Sequence, residues 1–75
     1  MTLNQLKPGQ RAEVKALHSE GMLGQRLVDL GLLPGEQVRY LRRAPLGDPI
    51  AFELRGRALS LRQPDAERVE VQIIG

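Results

Sequence analysis

The chain has no cysteine, no tryptophan, one histidine, one tyrosine and one phenylalanine in 75 residues. Each shortage removes a class of explanation. Without cysteine there is no disulfide framework and no thiolate metal cage, so stability must come from aliphatic packing. With Tyr40 and Phe52 as the only rings, the chain is poorly supplied for stacking RNA bases or for lining a groove that takes proline-rich peptides. No apolar run approaches the ~20 residues that span a bilayer. Met1–Pro8 shows no basic stretch followed by an apolar one, the mark of a secretory signal. The expectation is a soluble, cytoplasmic protein.

Reactive constellations are missing as well. The glycines are scattered, and none opens a helix as a phosphate-binding loop. No serine sits in a nucleophile elbow, and one histidine cannot furnish the usual triad logic with it. His18 with Glu20 and Met22 is the one grouping with metal-binding atoms, and it falls short of the three or four ligands at defined spacing that a transition metal takes. No catalytic residue, metal ligand or cofactor is therefore assigned.

What remains is a pattern of short alternating segments around one helix. Residues 1–75 are expected to form a single domain with one core. Arg11–Ala16 alternates polar with apolar, which predicts a strand with Ala12, Val14 and Ala16 inward. Ser19 is the expected helix N-cap. The helix is expected from Gly21 or Met22 to Leu30, with Leu23, Leu27 and Leu30 on its core arc and Arg26 facing away, three residues from Asp29. Gly31 falls where a helix end calls for positive φ, and Leu32 and Leu33 can fold back on the last turn. Pro34-Gly35 stops the helix from resuming.

Gln37–Ala44 predicts a second strand whose alternation slips at Leu41, as a bulge would cause. Pro45–Pro49 is a loop with Leu46 at its tip. Ile50, Phe52 and Leu54 alternate cleanly. Gly56 allows a tight reversal, and Ala58–Arg62 returns with Leu59 and Leu61 inward. Gln63–Glu67 predicts one helical turn, and Val69, Val71 and Ile73 a last strand. The fold expected is mainly β: a small five-stranded barrel, closed on itself, with a short α-helix inserted between strands 1 and 2.

Net charge is +2, unevenly placed. Residues 1–36 balance. Residues 37–62 carry Arg39, Arg42, Arg43, Arg55, Arg57 and Arg62 against Asp48 and Glu53. This basic stretch reads either as solvated strand faces or as a docking surface for an acidic partner. Met22 and Leu46 lie off every core stripe. By elimination the residues favour a module that binds another protein.

The blocks Leu30-Gly31-Leu32-Leu33-Pro34-Gly35, Arg42-Arg43-Ala44-Pro45-Leu46-Gly47-Asp48-Pro49-Ile50, Leu59-Ser60-Leu61-Arg62 and Val69-Glu70-Val71 resemble, in order, the FeoA family, the small cytoplasmic component of bacterial ferrous-iron transport. The resemblance implies an SH3-like barrel. It also implies an accessory role in iron uptake through contact with the cytoplasmic part of the membrane permease FeoB, which would hold the chain at the membrane indirectly. It does not imply an enzyme. The family is often described as binding transition metals; with no strong site in these residues, that description is taken as association with the pathway. The candidate partner-binding residues are Met22, Arg26, Leu46, Asp48, Arg42 and Arg43. Nucleic acid is not expected as a partner. Two alternatives stay open: the SH3-like C-terminal domain of a repressor of the DtxR type, and a small RNA-binding barrel working through its arginines, whose binding would be salt-sensitive.

Overall fold

The computed structural model describes residues 1–75. Its order is a 3₁₀ turn at Leu3–Gln5, β1 at Arg11–Leu17, α1 at Gly21–Asp29, β2 at Gln37–Arg43, β3 at Ile50–Leu54, β4 at Arg57–Leu61, α2 at Gln63–Ala66 and β5 at Val69–Ile73. The five strands form one antiparallel sheet in the order β4-β3-β2-β1-β5. The expected architecture is present: five short strands, with the helix between the first and second.

Alternation decides which face of each strand is inside. In β3, Ile50, Phe52 and Leu54 are buried while Ala51 and Glu53 are half-buried on the other face. Across the β2–β3 ladder, Val38 faces Leu54 and Tyr40 faces Phe52, and the register shifts between Tyr40 and Arg42. Leu41 is the extra residue, so the slip in the pattern is a bulge. The Tyr40 and Phe52 rings meet edge to face at 5.5 Å, the favoured aromatic geometry. Leu3 and Leu6 of the N-terminal turn join a core of 15 buried apolar residues. No charged or polar side chain is buried with them.

Helix α1 ends as its sequence requires. Gly31 has φ +95°. Its N–H donates to the Val28 carbonyl, and the Leu32 N–H donates to the Leu27 carbonyl. These two bonds make a Schellman cap, and Leu27 and Leu32, both fully buried, supply the apolar contact that accompanies it. Leu33 does not fold back; it stays 44% exposed.

The other end of α1 departs from expectation. Glu20, not Ser19, occupies the N-cap position, and no side chain caps the helix there. The reason lies one turn further on. A Cβ on Gly24 would stand 2.7 Å from the Ser19 carbonyl oxygen. The backbone before the helix therefore packs directly on the helix at Gly24, and that approach fixes the entry in place of a capping side chain.

The curled sheet is not closed by a ladder between its end strands. β5 pairs with β1, and β4 with β3. α2 carries the chain from one end strand to the other. It offers Ala66 to the core and carries Pro64 in its first turn, where a missing N–H costs nothing.

Candidate functional site

The loop between β2 and β3 is held at its base by two side chains. Arg43 is half-buried. Its Nε donates to the Tyr40 hydroxyl at 2.9 Å. Its Nη1 donates to the Gly47 carbonyl at 3.3 Å and to Gln63 Oε1 at 3.0 Å. Its Nη2 donates to the Asn4 carbonyl at 3.0 Å. The guanidinium carbon stands 5.9 Å from the centre of the Tyr40 ring, a cation–π distance. One planar fork thus ties together the N-terminal turn, β2, the loop and the start of α2, a task that a point charge on a flexible stem does poorly.

Asp48 does the second part. Its Oδ1 accepts the Gln63 backbone N–H at 2.7 Å, which satisfies a donor that the first turn of α2 would otherwise leave orphaned. Its other oxygen lies 3.8 Å from Arg62, too long for a strong pair. The Asp48–Pro49 peptide is cis.

On this braced base sits Leu46, 98% exposed. Met22, in the first turn of α1, is 92% exposed. It shares a shallow depression with Leu23, Gln25, Arg26 and Asp29. Arg26 does not pair with Asp29 as its spacing suggests. It donates to Asp65 of α2 at 2.5 Å, while Asp29 accepts from Gln25 at 2.8 Å. Asp65 is the more buried partner and so holds the longer arginine in place. Both braces end on Gln63–Asp65, so α2 lies between the α1 face and the loop and links them.

The six candidate residues therefore divide. Met22, Leu46 and Arg42 are exposed and take no part in the ion pairs of the chain. Arg26 is exposed but engaged with Asp65. Arg43 and Asp48 are committed to bracing the loop. The residues that complete the brace (Asn4, Tyr40, Gln63 and Asp65) carry no local signal of that role; only contacts across 3 to 39 positions reveal it.

Elsewhere two arginines of the basic stretch are paired with carboxylates. Arg55 grips Glu36 through two nitrogens, and Glu36 raises the Arg55 pKa by hydrogen bonding first and by charge second. Arg39 lies 3.2 Å from Glu53. His18 Nε2 is 2.7 Å from Glu70 Oε1, and that hydrogen bond, the largest influence, holds the Glu70 carboxyl below the usual carboxylate range against a smaller opposing effect of burial. No three His, Cys, Asp or Glu side chains converge as a metal cage would need. His18 and Glu70 offer two ligands at most, and Glu20 does not join them. The residues present do not fit a resident metal. No helix is long and apolar enough to cross a membrane.

Against known proteins, a model of the FeoA domain matches residues 1–73. The chain is 30% identical over 74 residues to a protein of Porphyromonas gingivalis described as an Fe(2+) transport protein A/Fe(2+) transporter FeoB fusion; the match takes in 99% of this chain and 9% of that one. Among solved structures, iron(II) transport protein A from Clostridium thermocellum superposes with a TM-score of 0.95 at 39% identity, over 99% of this chain and 46% of that one. FeoA of Stenotrophomonas maltophilia complexed with zinc, described as an SH3 domain protein, gives 0.84 at 32% identity, over 96% of this chain and 89% of that one. The chain thus spans less than half the length of the first two.

Proposed function

The chain belongs to the FeoA family, whose members are accessory proteins of ferrous-iron transport and not enzymes, and from that premise we propose that it works by contact with the cytoplasmic part of a FeoB-type permease. Leu46 carries the reading. A loop braced by five side-chain hydrogen bonds at its base holds an apolar side chain 98% exposed at its tip. Rigid presentation lowers the ordering cost of association, and an aliphatic anchor filling a partner's pocket contributes ~1.5–3 kcal/mol. Met22 offers a second anchor on α1, and Arg42 and Arg26 supply charge that orients an acidic partner. Arg43 and Asp48 serve this face by shaping it. The relative that carries transport protein A and FeoB in one polypeptide supports the association, since fusion keeps two functional partners together.

Tyr40 and Phe52, the only rings, are both buried in the core, so no stacking platform faces a nucleic acid, which weakens the RNA-binding alternative. The family match favours the accessory role over a repressor domain. Calorimetric titration with the soluble cytoplasmic part of a FeoB-type permease tests the proposal. Leu46→Asp and Met22→Asp should each weaken binding by about ten-fold or more and leave stability within ~0.5 kcal/mol. Unchanged affinity in both variants contradicts it.

A further inference from the structure

The two end strands of the sheet are treated differently. The outer edge of β5 is covered: the Val71 N–H donates to the Met1 carbonyl at 2.8 Å, and Thr2 bridges to Glu70. The outer edge of β4 pairs with nothing, since β4 neighbours β3 alone. The two-residue turn Arg55-Gly56 has both residues at positive φ, the hairpin form in which the flanking pair, Leu54 and Arg57, exchanges both main-chain bonds. Alternation from that pair turns the N–H and C=O of Arg57, Leu59 and Leu61 toward β3. Those of Ala58 and Ser60 point outward, and both residues are exposed.

Bare strand edges invite another strand. Three features of this edge say which one. First, the stretch from Leu54 to Pro64 carries Arg55, Arg57 and Arg62 and no carboxylate; Arg57 has no ion pair and Arg62 only the long one to Asp48. Second, pairing β4 antiparallel with a second copy about Leu59 would set Arg57 opposite Leu61 and Arg62 opposite Gly56, so no carboxylate answers either arginine across the seam and the two copies add only positive charge to it. Third, a hollow of about 120 Å³ lined by Leu30, Arg57, Ala58 and Leu59 opens beside the edge, with room for one aliphatic side chain.

We propose that the β4 edge, with its outward main-chain groups at Ala58 and Ser60 and its flanking Arg57 and Arg62, accepts an extended acidic segment of a partner protein as a sixth strand, one aliphatic residue of which enters the hollow beside Leu59. The hollow shares no lining residue with the depression around Met22, while Arg62 at the far end of the edge lies 3.8 Å from Asp48 at the base of the Leu46 loop. Main-chain bonds would supply affinity, and the arginines would select against basic and self partners.

The probe is a synthetic peptide alternating Glu and Val over seven residues, titrated into the ¹⁵N-labelled chain. Binding with hydrogen-exchange protection of the Ala58 and Ser60 amides, lost when alternate peptide nitrogens are methylated, is the expected result. Ser60→Pro removes an outward N–H without removing a bond to β3, and should weaken binding by about two- to ten-fold. Arg57→Glu reverses the charge without removing an outward main-chain group and should also weaken it. Several outcomes overturn the proposal: no binding to the unmodified chain, equal binding of the Lys-Val counterpart, amide shifts confined to α1 or the Pro45–Pro49 loop, or a sedimentation-detected dimer that Ser60→Pro dissolves.

Discussion

The base and the tip of the β2–β3 loop are built from neighbouring residues and treated in opposite ways. At the base, Arg43 spends its donors on Tyr40, Gly47, Gln63 and Asn4, and Asp48 caps α2. At the tip, Leu46 touches almost nothing. Arg42, next to Arg43, is exposed and unpaired. Two identical side chains one position apart thus do different work: one is bound up in the fold and the other is free in solvent. Strand alternation sends the two arginines to opposite faces, and the bulge at Tyr40–Arg42 decides that Arg43, paired with Ile50, is the one on the face of Tyr40. The proposed binding face thus combines rigid residues that shape it with free ones that would make the contact.

The sharpest way to break the comparison is at the base. Arg43→Ala leaves part-buried acceptors without a donor and unties four segments, so chemical denaturation should show a loss of roughly 2–3 kcal/mol. Arg42→Ala should stay within ~0.5 kcal/mol of the parent in the same assay. Equal effects would mean that the brace is not structural. Gly24→Ala comes next. Its Cβ would meet the Ser19 carbonyl oxygen at 2.7 Å, and backbone must move to admit it, at a cost of about 1–3 kcal/mol. An increase in stability, as helix propensity alone expects, would show that the close approach does not govern the helix entry.

The smallest effect belongs to the exposed His18–Glu70 pair. Glu70 is held below its ordinary range in the folded state, chiefly by the His18 hydrogen bond. Its contribution is therefore present above the unfolded pKa and is lost as pH falls through the folded one. A carbon-detected NMR titration should place the Glu70 midpoint below that of free glutamate, and His18→Ala should move it back up. Both side chains are well exposed, so the thermal transition should hardly respond.

Much of the fold is legible in the order of residues. Clean alternation at Ile50–Leu54, the glycine after Leu30 and the slip at Leu41 each have a local cause, and each element is where that cause puts it. Of the candidate site, the exposure of Met22 and Leu46 was legible, because both lie off every core stripe. The brace was not legible. An Arg-Arg pair beside a loop looks like surface charge until Asn4 and Gln63, distant in sequence, arrive next to the second arginine. Arg26 misled in the same way, since Asp29 is near in sequence but Asp65 is the partner. Ser19 has the chemistry of a cap, yet main-chain packing at Gly24 overrides it. The covered edge of β5 and the bare edge of β4 follow from strand order, which alternation does not encode.

The most direct test of the account is a residue-by-residue map. The ¹⁵N-labelled chain, titrated with the cytoplasmic part of a FeoB-type permease, should show its largest amide shifts at Met22, Arg26, Arg42 and Leu46. Shifts confined to the surface around Arg11, Arg39 and Glu53, or no shifts at saturating partner, would contradict it.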